Sequence, residues 1–252
     1  MLIPCYLARR SVTTMTNKKD LTKYVWAFTL GDGGLSSLKS YNRKENKINT
    51  SGRKITDINS HYYIKQLSIH DDYILWQASI LEQITNVTIK HNNGYVDDRG
   101  YTIKPQTVLT TRNHPFYTIL RERIYNNGVK TISIHDLKLL DWQCMAIFYM
   151  DDGWLETKMN KNGTMYVRIG IASHSFSEAE NYILTAAIKE KLGVRFETKK
   201  HKQRSGIYKY YIRTSKYEAN KFLEGVRPFI LPSFEYKLVE QLAPLNKGDD
   251  IV

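Results

Sequence analysis

Two helix-length apolar stretches, each running into aspartate and glycine, constrain this chain more than any other feature. The first, Leu21 to Leu30, stops at Gly31-Asp32-Gly33-Gly34; the second, Leu137 to Met150, stops at Asp151-Asp152-Gly153. A glycine just past a helix usually forms a left-handed cap, so both stretches read as helices ending at their aspartates. Asp32 and Asp152 stand 120 positions apart in a chain of 252 residues. That spacing, nearly half the chain, predicts an internal duplication. Further matches follow in the same order. Asp72-Tyr73-Ile74-Leu75 parallels Asn181-Tyr182-Ile183-Leu184, Thr111 and Leu120 parallel Thr214 and Leu223, and Val129-Lys130-Thr131-Ile132 stands where Glu235-Tyr236-Lys237-Leu238 stands later. The ordered set argues for a repeated unit of about 110 residues.

Each unit alternates helix, strand pair, helix, strand pair, helix. In the first, residues 35–43 and 61–69 read as strands, with Tyr63, Lys65, Leu67 and Ile69 on one face at period 2. Residues 71–84 read as a helix, and 86–98 and 101–112 as strands broken by Asn-Asn-Gly and Asp-Arg-Gly turns. Residues 114–126 read as a helix with Asn113 as N-cap and Pro115 in its first turn. In the second unit the strands fall near 154–160, 164–173, 194–202 and 206–213. One helix starts from Ser177, where Glu180 completes a capping box, and another from Ser215.

Charge narrows the partners. Lys and Arg number 37 against 25 Asp and Glu, a net +12, so a polyanion is the natural partner, whether nucleic acid or an anionic membrane surface. The 18 tyrosines, interleaved with basic residues, favour nucleic acid. Met145 to Met150 is too short an apolar run to span a bilayer. Two isolated cysteines, Cys5 and Cys144, exclude a cysteine-built zinc site and a disulfide framework. Residues 1–19 are basic and acid-free up to Lys19, which reads as an arm, as a targeting segment, or as sequence upstream of a start at Met15.

An aspartate at a helix C-terminus sits at the negative end of the macrodipole, and a bound cation reverses that penalty. Carboxylates beside free carbonyls, without His or Cys, make a hard-cation site suited to Mg²⁺. If the two apolar helices pack side by side, Asp32 and Asp152 meet at one end. Such a pair over a polyanion suits metal-assisted phosphodiester hydrolysis.

Trp26-Ala27-Phe28-Thr29-Leu30-Gly31-Asp32-Gly33-Gly34 and Ala146-Ile147-Phe148-Tyr149-Met150-Asp151-Asp152-Gly153 resemble the two signature helices of single-chain LAGLIDADG homing endonucleases. The resemblance implies an α+β fold of two pseudo-symmetric αββαββα units, 20–132 and 133–252, with the signature helices at the interface. The sheets would form a saddle on the DNA major groove. It also implies a monomer in which Asp32 and Asp152 bind Mg²⁺. Gly31 stands opposite Asp151, which would support the site or, like Gly31, offer a backbone carbonyl. The family's basic residue near each metal falls on Lys130 and Lys237, where a lysine polarises the attacking water or stabilises phosphate charge.

The polar period-2 positions that would face DNA are Ser37, Lys39, Tyr41 and Arg43; Lys104, Gln106, Thr110 and Arg112; Lys158 and Arg168; and Lys199, His201, Lys209, Tyr211 and Arg213. A one-residue slip would move a strand's set to the other face. The resemblance implies an endonuclease that makes a double-strand break at a long asymmetric site in double-stranded DNA. The alternatives on the same scaffold are a maturase that binds the host intron RNA and a non-catalytic DNA-binding regulator. Abundant Lys, Asn, Ile and Tyr point to an AT-rich genome, such as that of a mitochondrion, with bacterial or phage cytoplasm as the alternative.

Overall fold

The computed structural model describes residues 17–37, 59–163, 165–203 and 205–238. Lys39, Tyr41, Arg43 and the segment ending at Thr16 lie outside them.

The first half opens with α1 (Lys18–Leu30), whose N-cap Asn17 accepts from the Lys19 amide. It continues through β1 (Gly34–Ser37), β2 (Ser60–Leu67), α2 (Asp71–Leu81), β3 (Val87–Asn92) and β6 (Gln106–Thr111) to α3 (Pro115–Ile124). A small hairpin, β4 (Tyr95–Val96) with β5 (Thr102–Ile103), interrupts the second strand pair. Another hairpin, β7 (Tyr125–Asn126) with β8 (Val129–Lys130), ends this half. The second half repeats the order: α4 (Trp142–Asp152), β9 (Gly153–Met159), β10 (Met165–Ile171), α5 (Glu178–Leu192), β11 (Phe196–Lys202), β12 (Tyr208–Thr214) and α6 (Ala219–Val226).

Both halves form a four-stranded antiparallel sheet of one topology. The orders are β1-β2-β6-β3 and β9-β10-β12-β11, so the duplication read from the motifs extends to strand connectivity. Each sheet turns one face to the helices. Tyr62, Ile64 and Leu109 are buried in the first sheet, and Val167, Ile169, Ile171 and Ile212 in the second. The alternate positions face outward, as period 2 requires.

α1 and α4 pack against each other at the centre, with Ala27 and Ala146 fully buried. At their N-terminal ends Tyr24 Oη donates to Gln143 Oε1 (2.8 Å) and Lys23 pairs with Asp141 (2.8 Å). Trp26, Phe28, Phe148 and Tyr149 are buried, Phe28 against Tyr62 and Trp76 and Tyr149 against Phe222; burying a large apolar side chain contributes roughly 1.5–3 kcal/mol. Among the described residues no helix is long and apolar enough to cross a membrane.

Several expectations need correction. The apolar stretch from Leu137 is two pieces. A 3₁₀ turn, Asp136–Leu139, is held by the Arg123–Asp136 ion pair, and α4 starts afresh because Asp141 Oδ1 captures the Cys144 amide (2.9 Å). Neither Gly31 (φ −102°) nor Gly153 (φ −84°) is a left-handed cap. The left-handed glycine cap is Gly193, after α5. Gly31 and Gly153 serve close approach instead: a β-carbon on Gly31 would lie 2.6 Å from Asp151 Oδ2, and one on Gly153 would overlap the Tyr149 ring. α1 also stops at Leu30, leaving Asp32 on the turn beyond it, whereas α4 runs through Asp152. The N-cap of α3 is His114, whose Nδ1 accepts from the Phe116 amide; Asn113 bonds His61 instead. α6 starts at Ala219 rather than Ser215. The Ser177–Glu180 capping box stands as expected.

Candidate active site and nucleic-acid interface

The C-terminal ends of α1 and α4 bring three carboxylates together. Asp151 Oδ2 accepts from the Asp32 amide (3.3 Å), crossing from one half to the other. Gln66 Nε2 donates to Asp32 Oδ2 (2.7 Å) and Asp151 Oδ1 (3.4 Å). Gln66 was absent from the sequence-derived set. It lies on the core side of β2, in register with Thr107, so its position predicts burial. At the strand's end that side opens onto the helix tips, a juxtaposition no local pattern encodes.

Lys130 and Lys237 cap the same helices. Lys130 Nζ donates to Gly31 O (2.6 Å) and Gly33 O (2.8 Å), and Lys237 Nζ to Met150 O (2.6 Å) and Tyr149 O (3.1 Å). The ammonium groups satisfy orphan carbonyls and complement the negative helix ends. The Gly31 carbonyl therefore already accepts from a lysine and keeps one lone pair. Tyr149 Oη in turn donates to Lys237 O (2.8 Å), fixing the lysine's backbone.

The electrostatics are strained in one direction. Burial, and then the Asp32 charge, push the Asp152 carboxyl up to about 7, against the pull of Lys130 and Lys237. Burial and the charges of Asp32 and Asp152 hold Asp151 well above the usual carboxylate range. Burial also lowers both lysines. Behind them Tyr62 Oη donates to Gln77 (2.7 Å), and the buried Tyr62 and Tyr73 phenols are held far above their ordinary value. Three carboxylates stand against two lysines, so the cluster has room for further positive charge. Its donors are carboxylate and carbonyl oxygens, which fit a hard divalent cation. Among the described residues no three His, Cys, Asp or Glu side chains are placed to hold a metal by themselves.

The sheet register places the remaining candidates. In the first sheet, Gln106 and Thr110 face outward with Tyr63 and Leu67, Arg112 is exposed just past β6, and Lys104 is exposed in the turn before it. Ser37, the last residue of β1, pairs with Ser60 in the strand register. In the second sheet, Lys158 and Arg168 share one face, and Lys199, His201, Lys209, Tyr211 and Arg213 share it with them. Lys65 and Lys90, opposite Val108 on either side, join the outer face of the first sheet and were missed. The alternation that grouped Tyr63 with Lys65 already carried that signal. Two acids also stand on the second sheet's outer face: Glu156 pairs with Lys158 (2.7 Å) and Arg213 (3.5 Å), and Glu197 with Lys199 (2.6 Å). Trp154 lies over Gly170 and meets the Tyr211 ring at 5.6 Å.

Similarity to known proteins agrees with this geometry. An uncharacterized protein of Methanocaldococcus jannaschii is 34% identical over 131 residues, covering 52% of this chain and 47% of that one. DNA endonuclease I-ChuI of Chlamydomonas applanata is 23% identical over 188 residues, covering 72% and 82%. The chain spans half or less of the length of the curated relatives it matches at highest identity. The fold is that of the homing endonuclease I-WcaI, solved bound to its DNA recognition sequence: the TM-score is 0.65 at 16% identity, over 88% of this chain and 87% of that one. The model of the LAGLIDADG DNA endonuclease family matches residues 29–222, from inside α1 through both aspartate motifs into α6, and the chain belongs to that family.

Proposed function

We propose that the protein is a site-specific, intron-encoded homing endonuclease that makes a Mg²⁺-dependent double-strand break at a long asymmetric DNA target and acts as a monomer. The observation that carries this is the meeting of Asp32 and Asp152 at one end of paired helices, each helix tip capped by a lysine of its own half, Lys130 partly buried and Lys237 buried. The relatives named as DNA endonucleases and the fold shared with DNA-bound I-WcaI support it.

The halves 20–132 and 133–252 each address one half of the target. Outward residues of each sheet, Gln106, Thr110, Lys65 and Lys90 in one and Lys158, Arg168, Lys199, Lys209 and Arg213 in the other, lie along the major groove and contact phosphates and base edges. Asp32 and Asp152 would hold the divalent cations. A bound Mg²⁺ lowers the pKa of a water and stabilises charge on the phosphate. Gln66 aims the Asp32 carboxylate. Lys130 and Lys237 keep positive charge beside the scissile phosphates.

Cleavage of the host allele lacking the intron, with Mg²⁺ and with EDTA, beside Asp152→Asn, tests the reading. A Mg²⁺-dependent double-strand cut that the variant loses supports it. No cut, with tight binding to the unspliced intron RNA, overturns it in favour of the maturase.

A further inference from the structure

Each lysine-bearing segment is gripped by the opposite half of the molecule. Segment 232–237 belongs to the second half, yet the Ser233 amide donates to Asp72 Oδ2 (3.1 Å) at the start of α2. Ser233 Oγ lies 3.0 Å from His70 Nδ1, and the His70 ring stacks on Phe234 with centroids 4.0 Å apart and planes 11° apart. Tyr73 closes on Phe234 edge to face at 5.4 Å. Lys237 follows four residues on, its ammonium on the tip of α4.

The other lysine has the converse arrangement. The Ile132 amide, two residues after Lys130, donates to Glu180 Oε1 (2.8 Å) in the first turn of α5. Glu180 is divided between two tasks, since its Oε2 accepts from the Ser177 amide (2.8 Å) in the capping box. The capping box alone needs one oxygen; the other reaches across to the first half.

We propose that Asp72 (with His70) and Glu180 are crossed positioning residues: the first half sets Lys237 and the second half sets Lys130, so each cut depends on both halves. This rests on the endonuclease reading. The lysines are held by their own backbones, so loosening an anchor moves an ammonium by a fraction of an ångström to an ångström. Misplacement on that scale costs roughly ten- to a hundredfold in rate.

The test is strand-resolved, single-turnover cleavage at saturating enzyme, with each strand labelled, alongside hydrogen exchange of the full chain. Asp72→Ala should slow by at least about tenfold the one strand that Lys237→Met slows, and Glu180→Ala the strand that Lys130→Met slows. Asp72→Asn, which keeps an oxygen for the Ser233 amide, should recover most of the rate. Glu180→Gln, which keeps an oxygen for the Ile132 amide, should recover most of the rate on its strand. In exchange, Asp72→Ala should deprotect 232–237 and spare 130–132, with Glu180→Ala doing the reverse. Equal slowing of both strands, or exchange that rises in both segments alike, overturns the crossed arrangement while leaving the endonuclease reading intact. A wild-type chain that cuts neither strand overturns that reading instead, and exchange then still decides whether the anchors are crossed.

Discussion

Gly31→Ala is the sharpest perturbation the structure offers. A β-carbon there would lie 2.6 Å from Asp151 Oδ2 and against the Asp151 Cβ. Ordinary contact between such atoms is about 3.5 Å, so the tips of α1 and α4 must part by roughly an ångström. Neither tip gives easily, because Lys130 bonds Gly31 O and Gly33 O on one side and Lys237 bonds Met150 O on the other. Overpacking of this kind costs about 1–3 kcal/mol, which for a protein of this size lowers Tm by roughly 2–10 °C. Cleavage should suffer more, on the order of a hundredfold, because Asp32 moves with the turn. The assay is a double-mutant cycle with Asp151→Gly, read by thermal unfolding and by single-turnover cleavage. Removing the Asp151 side chain makes room, so the stability penalty of Gly31→Ala should largely vanish in the pair. Strictly additive penalties would refute the steric reasoning.

The other predictions follow from the same site and the sheets. Asp32→Asn and Asp152→Asn should each abolish double-strand cleavage and leave DNA affinity within a few fold, measured by gel shift; full cleavage by either would remove that aspartate from the metal site. Because Asp152 is raised to about 7 when folded, the native state binds the proton more tightly than the unfolded chain. Its contribution to stability is therefore greatest below about pH 4 and lost as pH rises through about 7. Mg²⁺ should accordingly raise Tm more at pH 8 than at pH 5, and equal shifts at the two pH values would contradict this. Arg213→Ala should weaken binding and reduce the salt slope by about one if Arg213 meets a phosphate; an unchanged slope with altered base preference would mean it reads a base edge.

What the sequence carried, and what it did not, divides along a physical line. The helices and most strands are specified locally, by a capping box at Ser177 and Glu180 and by alternation in β2, β10 and β12, so they could be read directly. The two aspartates were readable because duplication places the same short pattern twice. Lys130 and Lys237 came only through family resemblance, and both do reach the helix tips. Gln66 could not be read, since its alternation says core and only the tertiary gap between the helix ends makes it polar. The break at Leu140 was legible in principle, because Asp141 interrupts the apolar run and its side chain caps the Cys144 amide, but the apolar residues on either side read as one helix.

The duplication is broken where symmetry could not be kept. Gly31 and Asp151 occupy matching positions in the two motifs, just before Asp32 and Asp152. Across the helix pair they face each other so closely that one side chain fills the space of both. An aspartate on each side would set two more carboxylates together in a cluster whose charges already push Asp151 and Asp152 upward. Glycine on both sides would leave the Asp32 amide without its acceptor and Gln66 with one partner fewer. One aspartate and one glycine satisfy sterics and electrostatics together. The cost is two inequivalent sites: Asp32 is exposed and receives Gln66, whereas Asp152 is half-buried. On the endonuclease reading, one chain carrying both halves is free to accept that inequality, because the two halves of an asymmetric target need not be cut by identical machinery.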